Sequence, residues 1–124
     1  MSKILIVEDE KDLRGLLELK LTAKYHYDVI TAADGLEGLN KAKKERPDLI
    51  LLDINLPKLD GYQVCRMLKF DKATSGMPII MLTALGQRDD REWGKKVNAD
   101  AYITKPFDAD HLVEKIKSLI DKNA

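Results

Sequence analysis

The chain has 124 residues with 21 basic and 21 acidic side chains, a size that supports one hydrophobic core and predicts a single domain over 1–124. Balanced charge without a Lys/Arg cluster argues against attraction to nucleic acid through overall charge, so no direct nucleic-acid partner is expected. No apolar run approaches a membrane span, Met1-Ser2-Lys3 leads straight into an apolar segment, and the single cysteine, Cys65, excludes an internal disulfide; no membrane partner and a cytoplasmic location are expected.

Lys3-Ile4-Leu5-Ile6-Val7 is an apolar run that ends in Glu8-Asp9-Glu10. Leu13, Leu16, Leu17 and Leu21 recur at helical spacing and predict an amphipathic helix from Asp12 to Tyr25. Gly15 inside it costs about 1 kcal/mol relative to alanine. Tyr27 to Thr31 reads as a short strand. Gly35 precedes a helix over about Leu36 to Arg46, with Leu39 and Ala42 inward and Pro47 ending it. Leu49-Ile50-Leu51-Leu52 then runs unbroken into Asp53. Such a run reads as a strand covered on both faces, and Pro57, which cannot donate to a ladder, lies beyond its end. Asp60-Gly61 opens a helix with Val64, Cys65 and Leu68 on one face, where Cys65 serves as a small buried hydrophobe. Ser75-Gly76 makes a turn, and Ile79 to Thr83 is a fourth strand. Gly86 to Val97 reads as a helix of weak amphipathicity, and Asp100 to Thr104 as a fifth strand ended by Lys105-Pro106. A final helix from Asp108 to Asp121 buries Leu112, Ile116, Leu119 and Ile120. Five strands alternating with five helices over short connections predict an α/β fold, a doubly wound parallel sheet with helices on both faces.

In such a sheet the carboxyl ends of the strands share one edge, where ligands bind. Glu8 and Asp9 from the first strand, Asp53 from the third, Thr83 from the fourth and Lys105 from the fifth would meet there. Each like-charge pair at 4 Å costs about 4 kcal/mol at an effective dielectric near 20. Lys105 offsets only part of that. A hard divalent ion with oxygen ligands fits the deficit, and Mg2+ is the natural candidate. A carboxylate near Mg2+, with a lysine and a hydroxyl at hand, is suited to receiving a phosphoryl group. With an ordinary pKa of about 3.9, Asp53 would be ionised at neutral pH and need no general base.

Val7-Glu8-Asp9-Glu10, Leu52-Asp53-Ile54-Asn55-Leu56-Pro57, Asp60-Gly61, Leu82-Thr83-Ala84 and Tyr102-Ile103-Thr104-Lys105-Pro106-Phe107 together resemble the receiver domain of bacterial two-component response regulators. The motifs fall in order and cover essentially the whole chain. The resemblance implies a flavodoxin-like sheet of strand order 2-1-3-4-5. It implies that Asp53 is the phospho-acceptor, receiving its phosphoryl from the phosphohistidine of a sensor histidine kinase or phosphotransfer protein. It further implies that Asp9, Asp53 and the Asn55 carbonyl ligate Mg2+, with Glu8 helping through water. Thr83, with Ala84 beside it, and Lys105 would hold the phosphoryl oxygens, and Tyr102 would turn inward behind Thr83. That motion would remodel the face built from the helix over 86–97, the fifth strand and the final helix. The remodelled face would control a downstream protein target, with a phosphorylation-dependent homodimer as one form of output. The Lys105-Pro106 peptide is expected to be cis. Such a protein catalyses only its own phosphorylation and a slow autodephosphorylation, which the apolar Leu85 would retard further.

Asn98 stands where the family usually has Gly, in a turn that wants φ > 0, a conformation Asn tolerates. Trp93 either packs inward with Val97 or stands exposed as a partner anchor. His26 and His111 lie away from the acidic edge and are assigned no role. Three alternatives are weighed. One is a receiver domain cut from a longer DNA-binding response regulator. A second is an aspartyl-phosphate phosphatase, disfavoured because Asn55 stands where those enzymes use a second Asp. The third is a flavodoxin-like nucleotide or flavin binder, disfavoured because no Gly-rich loop follows the first strand.

Overall fold

A computed structural model describes residues 2–84 and 98–122. The described elements are, in order, β1 (Lys3–Val7), α1 (Lys11–Ala23), β2 (Asp28–Ala32), α2 (Gly35–Glu45), β3 (Leu49–Asp53), α3 (Gly61–Phe70), β4 (Ile79–Ala84), β5 (Ala101–Lys105) and α4 (Ala109–Lys122). The helix expected over 86–97, which carries Trp93, and Leu85 before it lie outside the described residues. Four of the five expected helices are therefore described.

The strands form one sheet of order β2-β1-β3-β4-β5, and every pairing is parallel. The period of two along each central strand sorts the apolar side chains onto two faces. Leu5, Val7, Ile50, Leu52, Ile79 and Met81 point to the face covered by Leu39 and Ala42 of α2 and by Val64, Cys65 and Leu68 of α3. Ile4, Ile6, Leu49, Leu51, Ile80 and Leu82 point to the face covered by Leu17 and Leu21 of α1 and by Leu112, Val113 and Ile116 of α4. Two covered faces explain why the β3 run is uninterrupted rather than alternating.

Local chemistry sets the element ends. The Asp60 carboxylate accepts from the Gln63 N–H at 3.0 Å while the Gln63 side chain accepts from the Asp60 N–H at 3.1 Å, a capping box that starts α3 at Gly61. Asp34 caps α2 in the same way, accepting from the Glu37 N–H at 2.8 Å. Arg46 is left-handed at φ 48° rather than extended, and its N–H closes on the Ala42 carbonyl, so α2 ends in a left-handed cap before Pro47. The first helix stops at Ala23, two residues short of Tyr25, because His26 turns the chain at φ 62° and sends the Tyr27 N–H back to the Leu21 carbonyl. β2 is shifted one residue along, to Asp28–Ala32, by its register with β1. β4 and β5 pair as far as Ala84 and Lys105, one residue beyond expectation, and Pro106 then ends the ladder.

Leu16, expected in the core, is misplaced. The stripe that faces the sheet is Leu13, Leu17 and Leu21, an i, i+4 row, and Leu16 falls beside it, 51 % exposed. With Leu13, Pro106 and Phe107 it lines a groove of about 410 Å³ between α1 and the loop after β5. Cys65 is fully buried, and burial pushes its thiol up to about 12, so it behaves as a hydrophobe. Leu119 and Ile120, expected in the core, are only partly buried against it near the end of α4.

Candidate functional site

Parallel pairing puts the carboxyl ends of β1, β3, β4 and β5 on one edge. Val7 is opposite Leu52, Asp53 opposite Leu82, and Ala84 opposite Lys105, so Glu8, Asp53, Thr83 and Lys105 follow one another across the rim. Asp53 is only 6 % exposed because β3 is central and α3 begins directly over it. Gly61 makes that approach possible. Its N–H donates to the Ile54 carbonyl at 2.8 Å, and a Cβ there would lie 2.3 Å from the Asp53 carbonyl oxygen.

The two buried carboxyls compete for one ammonium. Lys105 Nζ donates to Glu8 Oε1 at 2.9 Å and lies 3.4 Å from Asp53 Oδ1. Glu8, 1 % exposed, also accepts from the Glu10 N–H at 3.1 Å. Burial pushes the Glu8 pKa up, but the Lys105 bond, the Glu10 N–H and a hydrogen bond with Asp53 outweigh it and hold Glu8 below the usual carboxylate range. Asp53 goes the other way. Burial first, and the Glu8 charge second, push it up to about 7, and Lys105 only partly opposes them. The nearer partner of the lysine keeps its charge, so a proton bound by this pair sits on Asp53, which is about half protonated at neutral pH. The expectation of an ordinary, fully ionised Asp53 is thus corrected for the cation-free site. Lys105 itself is lowered by burial but raised more by Glu8 and Asp53, and remains charged.

Carboxylate oxygens of Glu8, Asp9 and Asp53 lie within 4.8 Å of one another, and Asp9 is exposed. Three acidic side chains against one lysine, with the outermost open to water, fit a hard divalent ion that takes oxygen ligands and retains waters. Asn55 lies just past Asp53 in the exposed loop leading to α3. Thr83 is buried at the end of β4, opposite Thr104, and Ala84 follows it opposite Lys105. Tyr102 is partly buried and packs on the α2–α3 side of the sheet. The Lys105-Pro106 peptide is cis and Asn98 is left-handed at φ 63°, both as expected. Trp93 lies outside the described residues. No described helix is long and apolar enough to cross a membrane.

One residue at this rim escapes sequence reasoning. Arg14, on the first turns of α1, donates to the backbone carbonyl of Glu8 at 2.9 Å. A sequence pattern can pair charged side chains but does not reveal which carbonyl a guanidinium will meet.

The Glu8–Lys105 pair carries a direct expectation. Lys105→Met leaves Glu8 buried without a cation, and breaking a buried pair costs about 3–5 kcal/mol. Because Glu8 is held below its unfolded value, its stabilising contribution is present above the ordinary carboxylate pKa and is lost as pH falls through the lowered one. Urea unfolding should therefore show a large loss for Lys105→Met at pH 8 and a smaller one at pH 4. Equal losses at both would contradict the pairing.

A family model described as the response regulator receiver domain matches residues 4–117. The ycf27 protein of Porphyridium aerugineum is 48 % identical over 118 residues, which cover 95 % of this chain and 48 % of that protein. The DNA-binding dual master transcriptional regulator RpaA of Synechocystis is 42 % identical over 120 residues, 97 % of this chain and 49 % of RpaA. The chain thus spans about half the length of these curated relatives. Among solved structures, the chemotaxis response regulator CheY4 of Vibrio cholerae superposes with a TM-score of 0.88 at 33 % identity, covering 96 % of this chain and 98 % of that one. The receiver domain of the sensor histidine kinase PA1611 of Pseudomonas aeruginosa gives 0.89 at 33 % identity, covering 97 % and 98 %. That structure has a magnesium ion coordinated in its active-site cleft.

Proposed function

The chain belongs to the response regulator receiver family, and from that premise we propose that it is a switch thrown by phosphorylation of Asp53. The donor is a phosphohistidine on a sensor histidine kinase or phosphotransfer protein. A carboxylate oxygen of Asp53 attacks phosphorus, the N–P bond breaks as the O–P bond forms, and the imidazole leaves, taking a proton from water. Asp9, Asp53 and the Asn55 carbonyl would hold Mg2+, with Glu8 assisting through water; bound there, the ion would supply positive charge against Asp53 and the phosphoryl oxygens. Its charge would also favour ionised Asp53, whose pKa is otherwise pushed up to about 7.

The protein's own groups do the rest. Lys105 needs little movement to serve a phosphoryl oxygen, since its ammonium already lies between Glu8 and Asp53. Thr83 donates its hydroxyl to another oxygen from the adjacent strand end, beside the Ala84 backbone. Tyr102, on the neighbouring strand, turns inward as Thr83 shifts, and the surface around β5 and α4 changes for a downstream protein target or a second copy of the chain. Beyond its own phosphorylation and slow dephosphorylation no turnover is involved. The observation that carries this reading is the ammonium of Lys105 at 2.9 Å from Glu8 and 3.4 Å from Asp53, beside a three-carboxylate cluster.

A second reading of the output rests on the relatives. RpaA is a DNA-binding regulator of which this chain matches about half. A receiver working within such a regulator would control DNA binding through another domain. The balanced charge that argues against nucleic-acid binding applies only to these 124 residues. Intact-mass measurement after incubation with acetyl phosphate and Mg2+ tests the shared core of both readings. Wild type should gain one phosphoryl group, and Asp53→Asn, or wild type in EDTA, should gain none. Equal gain by Asp53→Asn would overturn it.

A further inference from the structure

The Arg14 side chain meets two consecutive carbonyl oxygens in the loop that carries the acidic rim. Its guanidinium Nη1 donates to the Glu8 carbonyl at 2.9 Å and reaches the Asp9 carbonyl at 3.5 Å. Its backbone N–H donates to the Glu10 carbonyl at 2.9 Å. Glu10, at the N-cap of α1, makes no side-chain capping bond. The backbone bond to Glu10 is the ordinary first bond of the helix, so what is particular to Arg14 is the guanidinium on the Glu8 and Asp9 carbonyls.

Equally informative is what the guanidinium leaves alone. A planar guanidinium favours a carboxylate, which it can grip with two parallel hydrogen bonds. Three carboxyls cluster only a few residues away, yet among the described residues Arg14 pairs with none of them. Its donors go to peptide oxygens, and the carboxylate oxygens of Glu8 and Asp9 stay turned toward Asp53. Glu8 has further restraints, the Glu10 N–H at 3.1 Å and Lys105 at 2.9 Å. Asp9 has none of this kind: among the described residues its carboxylate accepts no hydrogen bond. The direction in which Asp9 points thus depends on its backbone, which the Glu8 N–H anchors to the Ala32 carbonyl at 3.0 Å and Arg14 holds through the Glu8 and Asp9 carbonyls.

We infer that Arg14 is a positioning residue for the divalent-cation site: by tying down the carbonyls of Glu8 and Asp9 it presets the Asp9 carboxylate opposite Asp53. This rests on the cation-binding reading above. The alternative, that Arg14 merely adds positive charge to an acidic rim, predicts the opposite sign. A fixed positive charge this close opposes a cation, so removing charge alone tightens Mg2+ binding, whereas removing a positioning contact loosens it. Contacts that orient metal ligands from outside are worth about 10–100-fold in affinity.

Calorimetric titration with Mg2+ at pH 8 and fixed ionic strength, on wild type, Arg14→Gln and Arg14→Lys, separates the two. Melting temperatures in EDTA are recorded alongside. Arg14→Gln should bind Mg2+ at least about tenfold more weakly, with its EDTA melting temperature close to wild type. Arg14→Lys keeps the charge but not the planar guanidinium whose Nη1 is aimed at the two carbonyls, and should also weaken binding. Equal or tighter binding by Arg14→Gln overturns the inference and leaves the cation site standing. Should Arg14→Gln be too unstable to titrate, Arg14→Lys decides alone: wild-type affinity there overturns the inference, and a clear loss supports it. A wild type that takes up no Mg2+ overturns both the inference and the reading it rests on.

Discussion

Asp53→Asn should make the cation-free protein more stable at pH 8 and leave it nearly unchanged at pH 4. Asp53 carries a folded pKa of about 7 against an ordinary aspartate value of 3.8, raised by burial and by the Glu8 charge. A carboxyl raised on folding stabilises the native state fully below its unfolded pKa and loses that stabilisation as pH rises through the folded value. The window is therefore about pH 4 to 7, and above it the wild type holds a buried charge that the unfolded chain would rather solvate. At about 1.4 kcal/mol per tenfold change in proton affinity, the penalty approaches about 4 kcal/mol. Asn removes the charge while keeping shape and hydrogen-bonding capacity, so a gain of about 2 kcal/mol or more is expected in EDTA at pH 8. Urea unfolding at both pH values measures it. Added Mg2+ should narrow the gap by stabilising wild type and not the variant. An Asn variant less stable than wild type at pH 8 without metal would mean that Asp53 is not under electrostatic strain.

Gly61→Ala should be strongly damaging, and Gly15→Ala should be a gain. A Cβ on Gly61 would sit 2.3 Å from the Asp53 carbonyl oxygen and 2.8 Å from the Ile54 Cα. Both obstacles are backbone, so no side-chain rotation relieves them, and α3 must lift away from the end of β3. A loss of about 3 kcal/mol is expected, together with slower phosphoryl uptake, because the displaced backbone is that of Asp53 itself. A Cβ on Gly15 meets nothing within 4 Å, and the residue lies inside α1. Alanine there should add about 0.5–1 kcal/mol through helix propensity alone. Denaturant unfolding of both variants checks the pair. Equal effects would show that the close approach at Gly61 does not govern the packing of α3 on β3.

The sheet and its rim are legible in sequence because their signals are one-dimensional. Leu49 to Leu52 announces a doubly covered strand by the absence of alternation, and the acid, hydroxyl and lysine at strand ends follow from parallel pairing alone. Leu16 is not legible. It fits helical spacing as well as Leu17 does, and only the packing angle of α1 on the sheet decides that the row through Leu13, Leu17 and Leu21 faces inward. Nor is the division of charge. Lys105 can reach either Glu8 or Asp53; burial and the Glu8 charge raise Asp53, while the closer lysine, at 2.9 against 3.4 Å, helps hold Glu8 low. Arg14 is invisible for a related reason: its partners are carbonyl oxygens, which every residue has.

The residue that carries the phosphoryl group can be located chemically. After phosphorylation with acetyl phosphate and Mg2+, borohydride reduces an aspartyl phosphate to homoserine, releasing phosphate, and peptide mass mapping then finds the altered residue. Homoserine at position 53 alone is the predicted result. Modification at Glu8 or Asp9 with Asp53 intact, or a phosphoryl group that borohydride does not touch, would contradict the account.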